Sequence, residues 1–323
     1  MKVLVLGYGP MGLALVRGTL AYGNNVQLVG VFPWSNLPKK RHQTLERCET
    51  EFQTFIRKLS LPLIQCDSVN SYAFVSLLTA LKPDVVLVGS WGEIFQATVL
   101  NQAGTVFINA HPSLLPHHRG ANPYTAAILA GDTRTGVTLH LMDESIDTGP
   151  IVMQQALDIY PDETGISLRE RCAQTVESMV PRLLEQVAEG RLNPVPQLPG
   201  GSYDKLNPNT VGWLDWTLPP QLLSRQIRAL YPWIRTYGQL RNDVIGFRFG
   251  KLVAVDNRPK EPGIILNRSQ NTVVVSTCEP GTAVCFEEPH FYHHPPFLTP
   301  VLSALKLKAG RQFLLSDSTV LPM

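Results

Sequence analysis

The first half of the chain alternates short β-branched runs with stretches whose apolar residues recur at helical spacing, the pattern that builds a parallel α/β sheet. Residues 3–6, 26–32, 62–65, 85–88 and 105–109 read as strands, and 11–21, about 41–59 and 72–81 read as helices. A strand pair at 137–142 and 151–157 follows, and then a long helix over 166–189, closed by Gly190. The pattern stops at 192–208, where four prolines and the pair Gly200-Gly201 oppose regular structure. Beyond it come one helical segment, 220–230, and short strands at 244–249, 252–255, 272–276 and 283–286. Their close spacing suits a small barrel or sandwich. The expected organisation is an α/β domain over 1–191, a linker over 192–208 and a β-rich domain over 209–323.

Composition agrees with two ordinary globular domains. The 323 residues are 44% hydrophobic and 17% charged, which leaves enough apolar surface for real cores and no compositional case for disorder. The net charge of +2 conceals a skew, with 15 basic residues against 18 acidic through residue 204 and 13 against 8 after it. A basic second domain is the electrostatic footprint of phosphate binding, and equally an ordinary solvated face. Five scattered cysteines form no CxxC or zinc-like spacing, which suits free thiols in a reducing compartment. The N-terminal apolar run is too short for a signal peptide and no stretch approaches a membrane span, so a cytoplasmic location is expected.

Three stretches carry candidate chemistry. Gly7-Tyr8-Gly9-Pro10-Met11-Gly12 fits G-x-G-x-x-G between a strand and a helix. The second strand ends Phe32-Pro33-Trp34 without the acid that would hold a nicotinamide ribose. The glycines are therefore read as serving a tight turn and close packing. Next, Asn109 and His111 sit two apart at a strand end, where period-two geometry places both side chains on one face. Third, the loop Asp143-Glu144-Ser145-Ile146-Asp147-Thr148-Gly149 carries three carboxylates in five residues. Alone it is turn chemistry. Beside Asn109 and His111, an Asp can raise the imidazole's pKa while an Asn donates to an oxyanion. Those are the parts of an acyl transfer without a covalent enzyme intermediate.

Taken together, Asn109-x-His111, Ser113-Leu114-Leu115-Pro116, Arg119-Gly120, Gly136-Val137-Thr138 and Asp147-Thr148-Gly149 resemble the folate-dependent formyltransferases, over roughly residues 85–155. Leu214-Asp215-Trp216, Gln226 to Leu230, Pro232-Trp233 and the stretch 305–313 are similar to the second domain of two branches, acting on methionyl-tRNA or on nucleotide-linked aminosugars. The resemblance implies a Rossmann-like formyltransferase domain followed by an OB-like domain whose closing strand is 305–313. It implies 10-formyltetrahydrofolate as formyl donor and no metal. His111 would be the general acid/base, Asp147 its tuning carboxylate and Asn109 the oxyanion donor. The folate pocket would draw on Glu93, Ile94 and Phe95, on Ser113, Leu114, Leu115 and Pro116, and on Asp143, Glu144, Ser145 and Ile146. Arg119 divides between positioning the loop and touching substrate, while His117, His118 and His140 are expected to be bystanders.

The acceptor is contested within the sequence. The tRNA branch usually carries a Pro-Asp-Arg-Pro-x-Gly-Arg-Gly type of loop after the second strand, whereas this chain reads Phe32-Pro33-Trp34-Ser35-Asn36-Leu37-Pro38-Lys39-Lys40-Arg41. The expected partners are the folate donor and either an initiator tRNA, taken as the first reading, or a small aminosugar nucleotide. A non-catalytic folate-binding protein is the lesser alternative, and the presence of Asn109, His111 and Asp147 together opposes it.

Overall fold

The computed structural model describes residues 1–23, 26–33, 43–64, 66–207, 209–256, 261–269, 271–292 and 294–315. The basic stretch 34–41, considered above for substrate contact, lies outside them. The described chain forms two compact units. The first comprises Met1–Ala127, Asp132–Tyr160 and Ser167–Lys205, and the second Ile128–Gly131, Pro161–Ile166 and Leu206–Met323.

In chain order the elements of the first half are β1 (Lys2–Gly7), α1 (Gly9–Ala21), β2 (Gln27–Pro33), α2 (Gln43–Lys58), α3 (Tyr72–Leu81) and β3 (Val85–Gly89). They continue with α4 (Ala97–Leu100), β4 (Val106–His111), α5 (Pro123–Ala130), β5 (Arg134–Leu141), β6 (Ile151–Asp158) and α6 (Gly165–Ala188). The sheet runs β2-β1-β3-β4-β5-β6. The first four strands are parallel and the last two antiparallel. The parallel sheet expected from the sequence is present, and the expected strand pair joins it as β5 and β6, an antiparallel hairpin on the β4 edge.

Val3 to Leu6 and Val85 to Val88 are at most 1% exposed. That double-sided burial explains their uninterrupted runs of valine and leucine. The expected strand at 62–65 reduces to a single bridge, Leu63 to Val31, since Pro62 lacks the amide a ladder needs.

The glycine loop makes the predicted tight turn. Gly9 has φ +57°, and a Cβ on Gly7 would lie 2.7 Å from the Gly89 carbonyl oxygen and 3.0 Å from the Gly12 Cα. The glycines therefore let β1, β3 and α1 close together at the carboxyl end of the sheet.

The second unit holds α7 (Pro220–Leu230), β7 (Thr236–Leu240), β8 (Asp243–Phe247), β9 (Phe249–Ala254), β10 (Ile265–Arg268), β11 (Thr272–Ser276), β12 (Thr282–Glu287), β13 (His290–Phe291) and α8 (Thr299–Lys306). Two antiparallel sheets, β10-β11-β12-β9 and β13-β8-β7, enclose an aromatic core. Phe247 stacks on Phe286 at 4.2 Å between ring centroids, and Trp216 on Phe313 at 5.5 Å. The unit is β-rich as expected, but its end differs. Residues 305–313 are not a strand; α8 covers their start and only Gln312 makes a bridge, to Ile264. Pro300 in the first turn suits a helix. After the turn at Gly310 (φ +83°) only a short segment runs along 263–265, the Ile265 amide donating to the Arg311 carbonyl at 2.8 Å and the Phe313 amide to the Gly263 carbonyl at 2.9 Å. No helix among the described residues is long and apolar enough to cross a membrane.

Gly7→Ala is expected to destabilise the protein by about 1–3 kcal/mol, because both contacts are with backbone that cannot yield locally. Urea denaturation measures this, and an unchanged midpoint with an unchanged slope would contradict the packing reading.

Candidate active site

The carboxyl ends of β1, β3 and β4 open onto a cavity of about 430 Å³, the position where open α/β sheets bind ligands. Its floor is built by register. Asn109 and His111 end β4 on one face, and antiparallel pairing sets Asn109 opposite His140 and His111 opposite Thr138. The turn after β5 then brings Asp147 back over them. Asp147 is a non-glycine residue at φ +56°. Gly149 permits the return, since a Cβ there would lie within 1.8 Å of the Leu141 carbonyl oxygen.

Asp147 is the centre of the arrangement. Its Oδ2 accepts the Gly120 amide at 2.9 Å and lies 3.3 Å from His111 Nδ1. Its Oδ1 accepts Asn109 Nδ2 at 3.1 Å and lies 3.5 Å from His140 Nε2. Burial raises the carboxyl's pKa, but the His111 charge, the His140 contact and the Gly120 amide outweigh it and hold the pKa at about 2. Burial pushes His111 below the ordinary histidine value, with Asp147 and the His118 carbonyl pulling the other way. The ring is 4% exposed.

His140, expected to be a bystander, lines the cavity. Its Nδ1 lies 2.7 Å from the Leu141 carbonyl, which assigns the hydrogen to that nitrogen and leaves Nε2 to accept from Asn109 Nδ2 at 3.1 Å. Both Asn109 amide hydrogens thus face protein acceptors. The β4–β5 register was the missing signal, because sequence spacing alone does not show that position 140 opposes position 109.

Of the residues expected at a folate pocket, Glu93, Ile94, Phe95, Asp143, Ser145 and Ile146 line the cavity. Ile94 and Ile146 remain 57% and 46% exposed although apolar, which leaves hydrophobic surface for a planar ligand. Glu93 accepts bonds from the Ser68 hydroxyl and the Val69 amide. Ser113, Leu114, Leu115, Pro116 and Glu144 are not among the lining residues.

The reason for the first four is that their loop is secured from below. The Ser113 hydroxyl donates to the His117 carbonyl at 2.6 Å, Thr138 Oγ1 donates to the Ser113 carbonyl at 2.7 Å, and Gln154 donates to the Leu115 carbonyl at 3.0 Å. Glu144 is an exposed turn residue.

The proline-rich stretch after α6 forms no helix and no ladder, yet it stitches the two site loops together. Gln197 Nε2 donates to the carbonyls of Asp147 at 2.8 Å and Gly149 at 2.9 Å. Its Oε1 accepts Arg119 Nε at 3.2 Å and Nη2 at 2.7 Å. The Arg119 guanidinium lies 5.4 Å over the Tyr203 ring, whose hydroxyl donates to the Ile146 carbonyl at 3.0 Å. Arg119 is therefore engaged in holding the loops. No sequence signal marked Gln197, which sits among prolines. Among the described residues, no group of His, Cys, Asp and Glu is placed to hold a metal ion.

Residues 1–184 match the family model described as formyl transferase. This chain belongs to that family. A methionyl-tRNA formyltransferase of Chloroflexus aurantiacus is 30% identical over 83% of this chain and 86% of its own length. Among solved structures, a Helicobacter canadensis N-formyltransferase in complex with folinic acid and dTDP-3-aminofucose superposes with TM-score 0.60 at 15% identity, covering 90% of this chain and all of the other. HypX from Aquifex aeolicus in complex with tetrahydrofolic acid gives TM-score 0.65 at 17% identity, covering 95% of this chain and 48% of the other. These two share the fold of this formyltransferase.

Because the folded pKa of Asp147 is depressed from 3.8 to about 2, its ionisation stabilises the protein above pH 3.8 and that contribution is lost as pH falls toward 2. The stability gap between the wild type and Asp147→Asn is expected to narrow over this interval in denaturant titrations. A gap that widened on acidification would refute the assignment.

Proposed function

We propose that the protein transfers the formyl group of 10-formyltetrahydrofolate to the α-amine of a methionyl initiator tRNA. The convergence of Asn109, His111 and Asp147 at the floor of one cavity carries the chemical reading. The likeness to a methionyl-tRNA formyltransferase over 83% of this chain and 86% of that one supports the acceptor.

The cavity divides into parts that suit the two substrates. Ile94, Phe95, Met142 and Ile146 offer apolar contact to the pterin, and the formyl carbon is placed near His111. The acceptor amine attacks that carbon, forming a C–N bond and a tetrahedral intermediate. Neutral His111, favoured by its burial, takes the proton released by the amine and delivers it to the departing N10 of the folate. The C–N10 bond breaks, and formyl-amine and tetrahydrofolate leave. Asp147 stabilises the imidazolium that exists between the two transfers. Asn109 donates to the oxyanion. In the described state its amide hydrogens are held by Asp147 and His140, so substrate binding must release one of them.

One observation favours a second acceptor. The stretch 32–41 lacks the Pro-Asp-Arg-Pro-x-Gly-Arg-Gly motif, which leaves an aminosugar nucleotide as the competing substrate. Incubation with the folate donor and either charged initiator tRNA or a panel of aminosugar nucleotides decides between them. Formylated methionyl-tRNA is expected, with kcat/KM falling as salt rises because Lys and Arg would contact phosphates. Formylation of a sugar amine alone, insensitive to salt, would replace this acceptor with the second.

His111→Ala should lower kcat by about 10²–10⁴. The acid limb of wild-type kcat/KM should lie below pH 6.5, the unperturbed value from which burial lowers His111. A limb above it would count against His111 as the base.

A further inference from the structure

The His111 ring is fixed at both ends by one turn of the chain. Its Nδ1 faces Asp147, and its Nε2 lies 2.8 Å from the main-chain carbonyl of His118. Two residues further on, the Gly120 amide donates to Asp147 Oδ2. The 118–120 turn therefore presents an acceptor to the histidine and a donor to its carboxylate. What holds this turn holds the His111–Asp147 pair.

The turn is itself in an unfavourable conformation, with His118 at φ +57° and Gly120 at φ +94°. A histidine persists there only if its surroundings over-determine it. They do so through both ring nitrogens. His118 Nδ1 lies 2.6 Å from Asp204 Oδ2, and Nε2 lies 2.7 Å from Asp132 Oδ2. The ring side chain is 12% exposed, between carboxylates that are 30% and 38% exposed. Main-chain bonds complete the grip. The His118 amide donates to Ser202 Oγ at 2.9 Å, the Arg119 amide to the Ser202 carbonyl at 2.9 Å, and the Asp204 amide to the Arg119 carbonyl at 3.2 Å.

We propose that the Asp132–His118–Asp204 clamp is a positioning device for the formyl-transfer pair, with His118 as a positioning residue that acts through its main-chain carbonyl on His111 Nε2. This rests on the reading of His111 as the proton carrier. The carbonyl accepts Nε2–H and holds the ring at the cavity wall until substrate arrives. The neutral ring then carries its hydrogen on Nδ1 against Asp147 and takes the amine's proton at Nε2. The protonated ring has an acceptor for each N–H, Asp147 and the carbonyl. The charged and titratable groups involved are Asp147 and His140 facing His111, Asp132 and Asp204 facing the His118 ring, and the Arg119 guanidinium, which is turned to Gln197 and Tyr203. Asp132 follows α5 and Asp204 lies in the proline-rich stretch, so the clamp ties two separate parts of the first unit to one turn.

The test uses the full-length protein with His118→Ala, His118→Gln and Asp132→Asn. Two readouts are taken: steady-state formyl transfer across pH, and the imidazole NMR titration of His111 without substrate. With the turn released, His118→Ala should lose about 10- to 100-fold in kcat, the range expected from a misplaced catalytic group. KM for both substrates should stay within about twofold of the wild type, since the clamp is remote from their groups. The His111 titration and the acid limb of kcat should both move to lower pH, because an acceptor that favours the protonated ring is lost.

His118→Gln, which can still donate to one carboxylate, should restore part of the rate. Asp132→Asn, at the more exposed end, keeps a polar partner and should give a smaller shift in the same direction. It carries the test if His118→Ala does not fold.

Folded variants with an unchanged His111 titration and unchanged kcat would overturn the proposal and leave the clamp a structural feature. The titration needs no turnover. Should the wild type formylate no acceptor while the titration still moves, the proposed function fails and the clamp stands; active variants with an unmoved titration give the reverse.

Discussion

A carboxylate in a protein interior is tolerated only when its oxygens are supplied with donors, and the buried Asp147 side chain imposes that requirement on everything around it. Its side chain is 11% exposed. It is met by three groups: Asn109 and His111 at the end of β4, and the Gly120 amide in the turn that follows β4. None of these groups could be displaced without leaving the charge short of a partner. The conformations of the loops are accordingly set by the carboxylate they surround, and the same contacts keep it ionised.

The sheet makes this arrangement possible before any side chain is considered. Parallel strands β1, β3 and β4 end together, and glycines at 7 and 89 allow their ends to approach α1 closely enough for a cavity to form beside them. The antiparallel β5 then returns directly alongside β4, so residues 27 to 33 positions apart face each other. The antiparallel pairing is what sets His140 opposite Asn109, and the turn after β5 then carries Asp147 back over both.

The convergence of Asn109, His111 and Asp147 was legible because each sits in a local motif, and the period of two between Asn109 and His111 survives any tertiary detail. Glu93, Ile94, Phe95, Asp143, Ser145 and Ile146 were legible through the resemblance and do line the cavity. Ser113 to Pro116 lie in the same motif as His111 yet are committed to β5 and β6 by hydrogen bonds. A motif marks a segment that matters without saying whether its residues touch ligand or hold the segment in place. The departures at 62–64 and 305–313 have local causes, a proline without an amide and a helix opened by Pro300, which pattern counting weighs too lightly.

The sequence by itself determined the β-branched and helical periodicities that make an α/β region and a β-rich one, and the residue types able to move a formyl group between amines. These follow from interactions within a few residues, where spacing and side-chain chemistry are sufficient. Only the tertiary structure decided that His140 joins the site, that Gln197 ties Asp147 to Arg119, and that His118 is held between Asp132 and Asp204. Those contacts join residues from 14 to 86 positions apart. Their existence depends on strand register and loop closure, and no local pattern along the chain encodes either.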